Sequence, residues 1–184
     1  MRIGALLLLC MLAVPALAQP RPAGRAAELD AMIAALKLAP NEEVAAQIEG
    51  RLRQLWMQAA SPSAVLLLNR GMRELGNNAT DEAIDDLDAA LVLDPNLPDA
   101  FHRRAMARAA AGDYRGAIAD IQEALTREPR FFPALQSLSR IAEERNDFKG
   151  ALSAWQKSME FSPRTPDGQD RLKALTKKVY GEGT

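Results

Sequence analysis

Apolar side chains recur along this chain at the three- and four-residue spacing of one helix face, and the whole pattern repeats every 34 residues. A small residue stands at one fixed place in each period, where it lets two helices approach closely, and a proline ends each period. These positions are Ala83, Ala117 and Ala151, and Pro95, Pro129 and Pro163. The pattern predicts three helical hairpins over residues 62–163, with units near 64–97, 98–131 and 132–165.

A single helical hairpin cannot bury its apolar face, so neighbouring units of this kind stack. The chain is rich in Ala and Leu, and aromatic residues make up only 5% of it, a composition that favours helix over sheet. The predicted fold class is therefore all-α: an α-solenoid of stacked antiparallel helical hairpins, essentially without strands.

Two further helical segments flank the predicted units. Residues 26–61 carry amphipathic helices on either side of Pro40, with Asn41 predicted to cap the second of them. We expect this divergent hairpin to cover the open end of the first unit, with Trp56 in the core. Residues 164–184 are predicted to form a capping helix and tail, which begins with a Thr165-Pro166-Asp167 cap and covers Trp155.

The second unit carries the most informative motif: Phe101, Ala105, the turn Gly112-Asp113-Tyr114, Ala117, Ala124 and Pro129. With the 34-residue period, these residues resemble the tetratricopeptide repeat (TPR) family. The divergent hairpin before the repeats, with its Leu55-Trp56-Met57-Gln58 segment, resembles small exported bacterial members of that family. The turn after Gly76 departs from the motif, so its geometry is open at this point.

The resemblance implies a superhelix whose first helices line a concave groove that receives a peptide or a partner protein. It implies that the groove is lined by Leu68, Asn69 and Met72 in the first unit, His102, Arg103 and Met106 in the second, and Gln136 and Arg140 in the third. Arg103 and Arg140 together are expected to hold a partner carboxylate, with salt bridges to Asp99 or Glu143 as the competing explanation. His102 is expected to titrate near neutral pH.

One branch of the family clamps the C-terminal carboxylate of chaperones with a set of Lys, Asn and Arg residues. The corresponding positions here are occupied mostly by residues that cannot form such a clamp: Leu68, Met72, Arg103, Pro133 and Ser137. The resemblance therefore does not imply a chaperone-tail receptor.

The first 18 residues have the pattern of a cleavable signal peptide: Arg2, an apolar run, and Ala16-Leu17-Ala18 before the cut. A flexible spacer, 19–25, would follow, and the mature protein would be periplasmic or secreted. A spanning anchor needs about 20 apolar residues, more than this segment offers before Pro15 interrupts it. Cys10 raises the alternative of a lipoprotein tethered to the membrane.

Removal of Arg2 with the leader would leave 22 basic and 24 acidic residues, a balance that does not favour nucleic-acid or anionic-membrane binding. The chain has one histidine and one cysteine, and it shows no phosphate-binding loop or metal-ligand spacing. We expect no enzyme activity, no cofactor and no metal, with an unidentified protein or peptide as partner. A solenoid that self-assembles end to end is the alternative, and the sequence leaves the oligomeric state open.

Overall fold

The computed structural model describes residues 24–181, which form α-helices without any strand among them. The predicted leader 1–18, Cys10 and most of the predicted spacer lie outside the described residues. The helices are α1 (Arg25–Lys37), α2 (Glu42–Met57), α3 (Pro62–Gly76), α4 (Thr80–Leu93), α5 (Pro98–Ala110), α6 (Tyr114–Arg127), α7 (Phe132–Glu144), α8 (Phe148–Met159) and α9 (Gly168–Tyr180).

Helices α3 to α8 pack as three consecutive hairpins, and each hairpin also packs against the next. Ala83, Ala117 and Ala151 are fully buried, as expected of small residues where two helices meet closely. The first helices of the hairpins contact one another, α3 with α5 and α5 with α7, and no comparable contact joins α4 to α6 or α6 to α8 within residues 24–181. The stack therefore curves with α3, α5 and α7 on its inner, concave side. This confirms the predicted α-solenoid.

The turn inside each hairpin has one residue with a left-handed backbone, again at a 34-residue interval. The φ angles are 63° at Asn78, 82° at Gly112 and 61° at Asn146. Glycine and asparagine tolerate this conformation better than most residues. The first turn therefore has the geometry of the other two, although its sequence departs from the motif.

An arginine–aspartate pair links the two helices of the first and second hairpins at the same register. Arg70 donates to Asp86, and 34 residues later Arg104 donates to Asp120 from Nε at 2.8 Å and from a terminal nitrogen at 2.6 Å. The hydrogen bond from Arg70 lowers the pKa of the Asp86 carboxyl below its ordinary value. The third hairpin has the apolar residues Leu138 and Ala154 at these positions, so the ion pair is not repeated there.

The final helix covers the end of the third hairpin with a small apolar cluster that includes Leu152, Trp155 and Leu175. The predicted start of this helix was wrong. Helix α9 begins at Gly168, and the Thr165 hydroxyl donates back to the Ser162 carbonyl instead of capping the helix. The Trp155 indole N–H donates to the Gly168 carbonyl at 3.0 Å, which ties the start of α9 to the core.

The hairpin α1–α2 does not cover the open end of the first unit as predicted. Helix α2 instead packs against α5, on the concave side of the stack. Asn41 caps α2 as predicted, because its side chain accepts a hydrogen bond from the Val44 N–H at 2.9 Å. At the other end of α2, Trp56 is only 1% exposed and belongs to the main core.

Candidate functional site

The concave side contains a cavity of about 250 Å³, here called the central pocket. Four groups of residues line it: Glu49 and Arg53 of α2, Met72 of α3, Asp99, His102, Arg103 and Met106 of α5, and Phe131, Phe132, Pro133 and Gln136 before and within α7. Helix α2 thus forms one wall of the pocket, and the first helices of all three hairpins form the others.

A second cavity of about 210 Å³, the distal pocket, adjoins the first because Met106 lines both. Its other lining residues are Ala109, Ala110, Ser137, Arg140, Ile141 and Glu144. Six of the eight predicted groove residues therefore line at least one of the two pockets, which adjoin at Met106. Methionine suits such a surface, since its flexible thioether adapts to irregular partners.

Two predicted groove residues lie elsewhere. Leu68 is fully buried in the main core, where it has no surface to offer a partner, so the prediction for this residue was wrong. Asn69 is exposed, but it lines neither pocket. Both residues have the register of His102 and Arg103 one period later, which do line the central pocket, so the difference lies in the packing around α3 and not in the helix register.

Arg103 forms an ion pair within its own helix. Its Nε donates to Asp99 Oδ2 at 2.5 Å, and both side chains are largely buried. Arg140, by contrast, is exposed and makes no ion pair or hydrogen bond with residues 24–181. Arg103 lines the central pocket and Arg140 the distal one, and the competing ion pair of Arg103 with Asp99 is present. Arg140 is the cation that remains available to a partner.

His102 lies where the two pockets meet. Its Nε2 is 2.9 Å from Ser137 Oγ, and its ring meets the Phe131 ring edge-on with 5.4 Å between centroids. Burial is the main cause that lowers the pKa of His102 from 6.5 to about 4. The nearby charge of Asp99 raises this pKa, and the charges of Arg103 and Arg140 lower it by smaller amounts. The expectation that His102 titrates near neutral pH was wrong, because this imidazole is uncharged there.

The sequence prediction missed the aromatic part of the site. Trp56 of α2 meets Phe131 and Phe132 edge-on, with ring centroids 4.7 Å and 5.7 Å apart. Such edge-to-face pairs are the favoured aromatic arrangement. The available signal was the Phe131-Phe132 doublet itself, which replaces Leu97-Pro98 of the preceding unit at the same register.

Among residues 24–181, no group of three or more His, Cys, Asp or Glu side chains is arranged to hold a metal ion. In the same part of the chain, none of the helices combines the length and the apolar character that crossing a membrane requires.

Comparison with solved structures identifies the architecture. The TPR domain of Sgt2 from Aspergillus fumigatus superposes with a TM-score of 0.61 at 27% sequence identity, over 66% of this chain and 82% of that domain. This is a tetratricopeptide-repeat fold. Neither a protein-family model nor a curated protein sequence matches the chain.

More distant neighbours share the same TPR architecture. The first TPR of Spaghetti (RPAP3), in a structure bound to the HSP90 peptide SRMEEVD, gives a TM-score of 0.60 at 19% identity, over 65% of this chain and 94% of that one. The Arabidopsis OM64 TPR domain gives 0.58 at 16% identity, over 62% and 95%. At these identities the likeness concerns the fold alone.

Proposed function

We propose that this TPR protein is a non-enzymatic interaction scaffold that binds a peptide or a partner protein along the central and distal pockets. The observation that carries this proposal is the pair of adjoining pockets on the concave side, where Met72 and Met106 line the central pocket and Met106 and the available cation Arg140 line the distal one. Such a surface suits an extended or helical segment that combines an apolar side chain with an acidic group.

The chemistry of the site does not favour a chaperone-tail receptor, although one structural neighbour was solved with an HSP90 peptide. Of the positions that correspond to the family's carboxylate clamp, Leu68 is buried in the core. Ser137 is hydrogen-bonded to His102, and Arg103 is paired with Asp99. The partner of this chain therefore differs in kind from an acidic chaperone tail.

The test is capture of partners by the tagged full-length chain from its native extract. We expect Met106→Ala combined with Arg140→Glu to lower the amount of the specific partner at least about tenfold, the scale of losing a central contact. Arg115→Glu is the matched control, because Arg115 is exposed at the start of α6, outside the concave face. If both variants capture the partner equally well, the concave site is not the binding surface.

We further propose that the protein is exported, as in small bacterial TPR proteins of this type, and acts in the periplasm or outside the cell. The N-terminal sequence pattern supports this, since an apolar run ends at Ala16-Leu17-Ala18. Mass spectrometry of the mature protein should find Gln19 at its amino terminus. A lipid-modified Cys10 at the terminus would instead indicate a membrane-tethered adaptor, and an intact Met1 would contradict export.

A second candidate function, head-to-tail self-association, is favoured by the open end of the first hairpin. Leu66 is 66% exposed, whereas Ala100 and Ala134, at the same register, are fully buried against the preceding helix. Helix α4 carries five acidic and no basic residues, and α9 is rich in lysine, so the two ends of the stack have opposite charge. Light scattering after size exclusion tests this. A concentration-independent monomer, unchanged by Leu66→Glu, would exclude self-association.

A further inference from the structure

The hairpin α1–α2 occupies the concave side of the solenoid in the manner of a bound helix. It reaches this position through the short connection of residues 58–61, and it packs against α5 and the start of α7 instead of continuing the stack. The hairpin therefore contacts the repeats as a partner bound in the concave groove would.

The occupant is anchored by an aromatic side chain and held by two polar contacts. Trp56 lies against the rings of Phe131 and Phe132. Asp30 of α1 pairs with Arg130 in the loop before α7, and Glu49 Oε1 of α2 accepts a hydrogen bond from Ser162 Oγ at 2.6 Å. Both polar contacts lie at the same edge of the stack, in the loops that precede α7 and α9. Leu36, Leu52 and Leu55 of the hairpin are buried in the same core as Trp56. The groove thus recognises an amphipathic helix by an apolar stripe with an aromatic anchor and by carboxylates along one edge.

The fit of this occupant is imperfect in one respect. The indole N–H of Trp56 is buried and has no hydrogen-bond partner among the described residues. A buried donor without a partner weakens the state that contains it, because the donor was hydrogen-bonded to water before burial. A helix with phenylalanine at this position would keep an aromatic ring against Phe131 and Phe132 without that loss.

We propose that the concave face binds an amphipathic partner helix with an aromatic anchor and flanking carboxylates, and that this helix competes with the resident hairpin α1–α2. The proposal rests on the proposed function and names its partner class. The hairpin then regulates the site. A competitor binds only molecules whose groove is open, so its apparent affinity is its intrinsic affinity multiplied by the fraction of open molecules. The short connection raises the effective concentration of the hairpin, so a competitor succeeds only with a better fit or when the hairpin is loosened.

The test uses a labelled peptide of residues 24–60 as a competing helix and the full-length chain as receptor. In the opened chain, Asp30→Lys and Glu49→Ala remove the two polar contacts and leave the apolar core unchanged. We expect the peptide to bind this chain at least about tenfold more tightly than the unmodified chain, since more molecules are open. Asp85→Lys is the control chain, because Asp85 is exposed on α4, a helix that packs against α3 and α5.

Two peptide variants test the anchor. Trp56→Ala in the peptide should abolish its binding, and Trp56→Phe, which keeps an aromatic ring, should retain it. Circular dichroism of each chain establishes that the receptor is folded. The proposal is overturned if the opened chain binds the peptide no better than the control chain, or if the peptide without the aromatic side chain binds equally well.

Failure of this proposal is distinguishable from failure of the proposed function. If Met106→Ala with Arg140→Glu removes partner capture but the peptide does not bind the opened chain, the concave site binds a partner of another class and α1–α2 is a fixed part of the fold. If the peptide binds as expected but these substitutions leave capture unchanged, the helix-binding groove exists and the captured partner uses another surface.

Discussion

The buried carboxylate of Asp120 offers a prediction whose size follows from the structure. Asp120 is 3% exposed and accepts hydrogen bonds from Arg104 on two oxygens, and Arg108 donates to one of them at 2.9 Å. The two guanidinium groups are themselves only 16% and 25% exposed. Asp120→Ala would leave both charges partly buried without this shared partner.

Removing one member of a buried ion pair costs about 3–5 kcal/mol, because the remaining charge is left desolvated. Arg104 keeps its contact with Asp88 at 2.5 Å, and that carboxylate is half exposed. We therefore expect Asp120→Ala to lower the free energy of unfolding by about 2–4 kcal/mol. Asp120→Asn should lose less, because the amide keeps one acceptor oxygen for the arginines.

The matched control is Asp86→Ala, one 34-residue period earlier. Asp86 is also buried, but its partner Arg70 is 53% exposed and would be hydrated once the aspartate is gone. The loss of stability should therefore be clearly smaller than for Asp120→Ala. Urea denaturation followed by far-ultraviolet circular dichroism measures both losses. Equal losses would refute the argument that burial of the arginines, and not the ion pair alone, sets the cost.

Two further predictions concern the core and pH. Ala117→Leu should destabilise the fold by about 1–3 kcal/mol, because the larger side chain overpacks a buried helix contact. Ala119→Leu is the control, because Ala119 lies on the exposed side of the same helix and should tolerate the change. The melting temperatures of the two variants measure the difference. Because the pKa of His102 is about 4 in the folded state and 6.5 as the ordinary value, the unfolded chain takes up the proton first on acidification. The contribution of His102 to the free energy of unfolding is therefore fully present above pH 6.5. It decreases as the pH falls towards 4, by at most about 3 kcal/mol. Urea titrations should show a shallower loss over this range for His102→Gln; equal slopes would contradict the low pKa.

The helical hairpins and their close contacts were predictable because they depend on local periodicity. The small residues Ala83, Ala117 and Ala151 lie at the same place in each unit, and each is fully buried in the structure. The hairpin turns follow the same logic, since the residue at each left-handed position is Gly or Asn. A fixed period constrains each unit in the same way, so agreement among three units reveals the contacts that they share.

The candidate site was predictable only in part. The first helix of each unit was correctly expected to line the concave side, and Met72, Met106 and Arg140 do line its pockets. The pairing of Arg103 with Asp99 and the low pKa of His102 depend on which side chains meet after packing. Spacing along a helix gives the direction of a side chain, but not the partner or the degree of burial that it finds there.

The sequence by itself determined the repeating hairpins, their stacking into an α-solenoid and the amphipathic character of the flanking helices. Only the tertiary structure decided where the hairpin α1–α2 lies. An apolar stripe through Leu52 and Trp56 requires burial, and both the open end of the first unit and the concave groove could provide it. Because the hydrophobic effect is not directional, the choice depended on contacts far apart in sequence: Trp56 with Phe131 and Phe132, Asp30 with Arg130, and Glu49 with Ser162.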